Sequence, residues 1–85
     1  MYLAKIYVSL KSTVNDPQGQ TVLGSLRTLG YDSVDGVRVG KYMEVRVAEE
    51  ERGRAEEQVR EMCHELLANP VIEEYRFELE KLTSP

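Results

Sequence analysis

Between Val37 and Val47 the residues Val37, Val39, Met43, Val45 and Val47 all fall on odd positions, and the run crosses Gly40-Lys41 without losing that parity. Successive side chains of a strand alternate between faces, so one uninterrupted pleat would carry all of them on the same side. A two-residue hairpin at Gly40-Lys41 would set Val39 opposite Tyr42 and bring the valines of the first arm beside Glu44 and Arg46. A three-residue loop would restore a common apolar face, but such loops usually carry glycine last, at the left-handed bulge position, and Gly40 comes first. The pattern therefore favours one long strand bent at Gly40, with a hairpin as the alternative.

The flanking segments are easier to read. From Ala4 the residues Ala4, Ile6, Val8 and Leu10 alternate with Lys5, Tyr7, Ser9 and Lys11, the period of a half-buried strand. Asp16-Pro17 can cap and open a helix, because an aspartate oxygen accepts an orphan N–H and proline has none to leave unpaired. Val22, Leu23, Leu26 and Leu29 then mark one helical face, and Gly30 can supply the left-handed residue that ends it. Gly24, which costs roughly 1 kcal/mol inside a helix, is expected to mark close packing of that helix on the sheet. After the acidic run Glu49 to Glu51, suited to a helix N-terminus, a second amphipathic helix carries Ala55, Val59, Met62, Cys63, Leu66 and Leu67. Asn69-Pro70 stops it. From Val71 a last strand alternates Tyr75, Phe77 and Leu79 with Glu74, Arg76, Glu78 and Glu80.

This order predicts an α+β domain: a small antiparallel sheet of three to four strands with two helices on one face. A hairpin in the middle would make it βαββαβ; a long bent strand would leave half its backbone groups to pair with a second subunit. Residues 1–82 form a single domain in this reading, and 83–85 a frayed tail. A chain of 85 residues buries only about 60 to 65% of its unfolded surface, so a homodimer or higher homo-oligomer is expected.

No residue set suited to catalysis emerges. The sole histidine, His64, directly follows the sole cysteine on one helix, so the two point about 100° apart. Cys63 lies on the apolar stripe and reads as a buried thiol, and one His with one Cys cannot assemble the usual zinc site within a single chain. Gly36 to Lys41 superficially resembles a phosphate-binding loop, but it has three residues between the glycines instead of four and Tyr42 where Ser or Thr would hold magnesium. The paired carboxylates at Glu49 to Glu51, Glu56-Glu57 and Glu73-Glu74 read as solvated faces, with Glu56 and Arg60 as an i, i+4 pair. Eleven Lys and Arg against fifteen Asp and Glu, with no basic stripe, argue against nucleic acid as a partner. The opening residues are too short and too alternating for a signal peptide or a membrane span, and a lone cysteine suits a reducing cytoplasm. No catalytic, cofactor or metal residue is assigned.

Three strings, V-N-D-P-Q-G at Val14 to Gly19, V-R-V-G-K-Y at Val37 to Tyr42, and M-C-H-E-L-L-A-N-P-V-I-E-E-Y at Met62 to Tyr75, together resemble the PurS family. The resemblance spans nearly the whole chain in the expected order. It implies a PurS-like domain that is a non-catalytic subunit of phosphoribosylformylglycinamidine synthase, in purine biosynthesis. Its implied partners are a large synthetase subunit, which uses ATP, and a glutaminase subunit, which releases ammonia from glutamine. The small subunit would bring these together in converting formylglycinamide ribonucleotide to the amidine, and would help keep ammonia off bulk solvent. Arg38, Gly40, Lys41, Tyr42, Asn69 and Pro70 are the candidate partner interface, being polar or rigid features that sheet packing does not demand. Two other classes stand beside this one: a small dimeric α+β ligand-sensing domain and a generic protein-interaction module.

Overall fold

In the computed structural model, which describes residues 1–83, the alternation at the N-terminus becomes strand β1 (Tyr2–Leu10). Tyr2, Ala4, Ile6 and Val8 are buried on one side of it, and their odd-numbered neighbours remain partly or fully exposed on the other. Strands β2 (Gly40–Val47) and β3 (Glu73–Lys81) both pair antiparallel with β1, giving the order β2-β1-β3. The register sets Ile6 beside Met43 and Phe77, and Ala4 beside Val45 and Leu79, so the apolar sets of three strands share one face.

Helix α2 (Arg52–Met62) covers that face. Val59 and Cys63 are fully buried in a cluster with Ile6 and Val8, and burying each of the larger aliphatic side chains contributes about 1.5–3 kcal/mol. Acidic residues gather at its start as expected, with the Glu49 carboxylate accepting the N–H groups of Glu50 and Glu51 at 3.1 and 3.4 Å. The helix runs on through a wider π-helical turn, Cys63–Leu67, closed by the Ala68 N–H donating to the Cys63 carbonyl at 2.9 Å. That turn carries Leu66 out of the expected apolar stripe, leaving it 82% exposed. Glu56 also finds a different partner from the expected Arg60: it pairs with Arg52 at 3.5 Å, while Arg60 lies over the Phe77 ring.

The middle segment contributes a single strand. Every residue of β2 from Gly40 to Val47 has a partner on β1, and Val37 to Val39 run outside the sheet. The expected strand over Val37–Val47 is thus shorter, and its odd-parity set continues on the core face as Lys41, Met43, Val45 and Val47. Gly40 is required by proximity, since a Cβ there would meet the Val8 carbonyl oxygen.

Helix α1 (Pro17–Thr28) begins and ends where the sequence places it, capped by Asp16 and followed by Gly30 at φ 98°. Its position departs from expectation. Whereas α2 packs across β1, no comparable contact joins α1 to any strand, so one helix and not two covers the sheet. The reason is width: the outer strands of a three-stranded sheet lie about 10 Å apart, and one helix with its side chains is about 10–12 Å across. Leu29 is left 72% exposed, and nothing approaches a Cβ built at Gly24, so that glycine marks no close packing. The molecule measures 49 × 32 × 15 Å with a radius of gyration of 16.6 Å, against about 12 Å for a packed chain of this length. Of the expected tail 83–85, residues 84 and 85 lie outside the described residues.

Candidate assembly surface

The six residues singled out from the sequence separate into three places. Lys41 lies on the helix-covered side of β2, at the end of the sheet, and its Nζ sits 3.5 Å from an oxygen of Glu73. The other Glu73 oxygen accepts the Asn69 N–H at 2.7 Å. One carboxylate thereby ties the start of β2 to the turn after α2. In that turn the Asn69 side chain accepts the Val71 N–H at 3.1 Å and its carbonyl accepts from Ile72 and Glu73 at 3.1 and 2.7 Å. Asn69 and Pro70 therefore build a turn from their own chemistry. It presents Val71 and Ile72 to solvent.

Tyr42 points to the opposite face of the sheet, where its ring packs 5.0 Å from that of Tyr7 and the Arg76 guanidinium lies 3.9 Å over the Tyr7 ring. Its hydroxyl donates to Glu44 at 2.8 Å, and that bond, with lesser help from desolvation and neighbouring charge, pushes the phenol up to about 12. Lys5 and Glu80, 3.2 Å apart, continue this face, which pairs its own charges across the strands.

Arg38 is exposed yet engaged within the chain. Its guanidinium donates to the carbonyls of Val14, Leu10 and Lys11 at 3.1, 3.2 and 2.9 Å, pinning the connection between β1 and α1. Asp16 answers from the other side. One carboxylate oxygen accepts the Gly19 N–H at 3.0 Å and the other the Val39 N–H at 2.9 Å, and the side chain is buried. These two N–H groups, Val39 first, hold its carboxyl below the usual carboxylate value against the opposing effect of burial, with Arg38 assisting. Sequence reasoning found Asp16 only as a helix cap; its second acceptor contact is tertiary and had no local signal. For the same reason the sequence shows Glu73 only as one of a pair of carboxylates on a solvated face.

Among the described residues no group of three His, Cys, Asp or Glu side chains could hold a metal ion. Burial raises the Cys63 thiol above its ordinary value, which keeps it protonated and unreactive at neutral pH. Nor is any helix of the described residues long and apolar enough to cross a membrane.

The family model described as PurS, phosphoribosylformylglycinamidine (FGAM) synthase, matches residues 3–81. The chain belongs to the PurS family. It is 48% identical over 84 residues to the phosphoribosylformylglycinamidine synthase subunit PurS of Bacillus subtilis, covering 99% of both chains. A crystal form of Bacillus subtilis PurS matches at a TM-score of 0.86 and 49% identity, covering 95% of this chain and 100% of that one. A structure of PurLQS from Thermotoga maritima matches at a TM-score of 0.83 and 34% identity, covering 94% of this chain and 99% of that one. PurS is a subunit of FGAM synthase in purine biosynthesis, and the fold and length of this chain agree with that membership throughout.

Proposed function

We propose that the chain is the self-associating, non-catalytic subunit through which the synthetase and glutaminase subunits of FGAM synthase assemble. The partners use ATP and glutamine, and this subunit binds neither; it promotes glutamine-dependent conversion of formylglycinamide ribonucleotide to the amidine by bringing the ammonia source to the acceptor. A lone free cysteine suits a reducing, cytoplasmic location. The observation that carries the reading is the likeness, over 94% of this chain, to a chain in the structure of PurLQS from Thermotoga maritima. Surface chemistry is compatible with it: Leu29 and Tyr31 are exposed at the end of α1, and Leu66 and Val71 around the turn after α2.

Self-association has a different basis here from a strand that outgrows its sheet. β2 is fully paired with β1, and what remains open is part of the stripe of α1, where Val22 and Leu29 are exposed and Leu23 and Leu26 half-buried, together with the outer edges of β2 and β3. Light scattering should give a mass above that of one chain at micromolar concentration, and the tagged chain should co-elute with both large subunits. A monomer that co-elutes with neither would reject the reading.

A further inference from the structure

Helix α1 has a capped start and a glycine stop, but no broad packing against the sheet tells it where to point. Its direction must come from what grips its base. Two segments meet there, the connection after β1 and the extended chain before β2, and each reaches into the other: Arg38 to the carbonyls of Leu10, Lys11 and Val14, and Asp16 to the Val39 N–H. Gly19 lets them close, since a Cβ there would meet both the Val37 carbonyl and the Asp16 carboxylate. A thinner tie, from the Arg27 guanidinium to the Val34 carbonyl at 3.3 Å, joins the far end of the helix to its outgoing loop.

We propose that the Asp16 carboxylate is a positioning joint: by holding Gly19 of α1 with one oxygen and Val39 before β2 with the other, it sets the direction in which the uncovered α1 stripe is presented. A cap needs only one acceptor oxygen, and Asn serves a helix N-terminus about as well as Asp. This joint uses two, because the Gly19 and Val39 N–H groups approach different carboxylate oxygens, and an amide would set a donor NH2 in the place of one of them. The two roles are therefore separable by a change of a single atom type. That the stripe is an assembly surface rests on the function proposed above; the joint itself does not.

The test compares the full chain with Asp16→Asn by nuclear magnetic resonance. The expected result is that α1 amides keep their helical signature while Val39 amide exchange accelerates at least tenfold, and residual dipolar couplings from α1 and from the sheet no longer fit one common alignment. Unchanged Val39 exchange and a common alignment would overturn the joint. Gly19→Ala gives a second reading should the first variant fold poorly, as it keeps both carboxylate oxygens but drives a methyl group between them and the Val37 carbonyl, and the same loss of a common alignment is expected. Light scattering on the same samples keeps the two ideas apart. A monomeric wild type with a loosened α1 in the variant retains the joint and removes the assembly reading, whereas an oligomeric wild type whose variant keeps both mass and α1 direction does the reverse.

Discussion

Helix α2 is held by what it buries, with Val59 and Cys63 against Ile6 and Val8, whereas α1 is held by hydrogen bonds at its base while its apolar stripe stays partly open. Burial is nondirectional and cumulative, so the α2 side carries the stability of the isolated chain. Directional hydrogen bonds fix an angle at little cost in apolar surface, which leaves the α1 side available for burial against another protein. One small chain thus divides its apolar residues between its own core and a partly open helix face.

The sharpest way to break this comparison is to truncate one side chain on each side. Ile6→Ala, at a fully buried position, should cost about 2–5 kcal/mol, while Leu29→Ala, at 72% exposure, should stay within about 0.5 kcal/mol. Urea unfolding of dilute protein measures both, and comparable losses would show that α1 is packed after all. Glycines provide the next contrast. Gly40→Ala brings a methyl group against the Val8 carbonyl and should destabilise by about 1–3 kcal/mol, but Gly24→Ala, in open space on α1, should stabilise by about 0.5–1 kcal/mol. Thermal melts resolve opposite signs easily.

Charge reversal sharpens the division among the candidate residues. Arg38→Glu removes three carbonyl contacts and should cost about 1–2 kcal/mol in the chain alone, whereas Lys41→Glu disturbs one partly exposed ion pair and should cost about 0–1 kcal/mol. Lys41 is therefore the cleaner probe of partner binding. An effect of Lys41→Glu on co-elution at unchanged stability would place that end of the sheet at the interface.

What the sequence made legible was local. The period of Ala4 to Leu10, the cap at Asp16, the stop at Gly30 and the turn at Asn69-Pro70 are set by residues within a few positions of one another, and each stands in the structure where the pattern put it. Parity held only after Gly40, where Met43, Val45 and Val47 do share the core face, whereas Val37 and Val39 lie outside the sheet. Where β2 starts was not legible, since it depends on Val39 being claimed by Asp16 from a distance of 23 residues. Nor was the placement of α1, whose stripe has the spacing of a buried face whether it meets its own sheet or another protein. Arg38 looked free for a partner because the carbonyls it binds lie on a remote connection.

The smallest expected effects come from pH. The carboxyl of Asp16 titrates lower in the folded chain than its ordinary 3.8, so its contribution is complete above that value and disappears as pH falls through the lowered one. Arg38 is the charged group facing it, and Asp16→Asn should remove this acid limb from a plot of unfolding midpoint against pH. Tyr42 has the opposite sign: its proton is held up to about 12, so its contribution is complete below the ordinary 10.0 and lost as pH rises toward 12. Tyrosinate absorbance should show one residue ionising late, and Glu44→Gln should bring it back.

Assembly without chemistry is the central claim, and reconstituted turnover tests it most directly. The two large subunits are assayed for amidine formation with glutamine and, separately, with ammonia, each with and without this chain. The expected result is that the chain alone neither hydrolyses ATP nor releases ammonia from glutamine, and that adding it restores glutamine-dependent turnover while changing ammonia-dependent turnover far less. Glutamine-dependent turnover that is equal with and without the chain would contradict the claim.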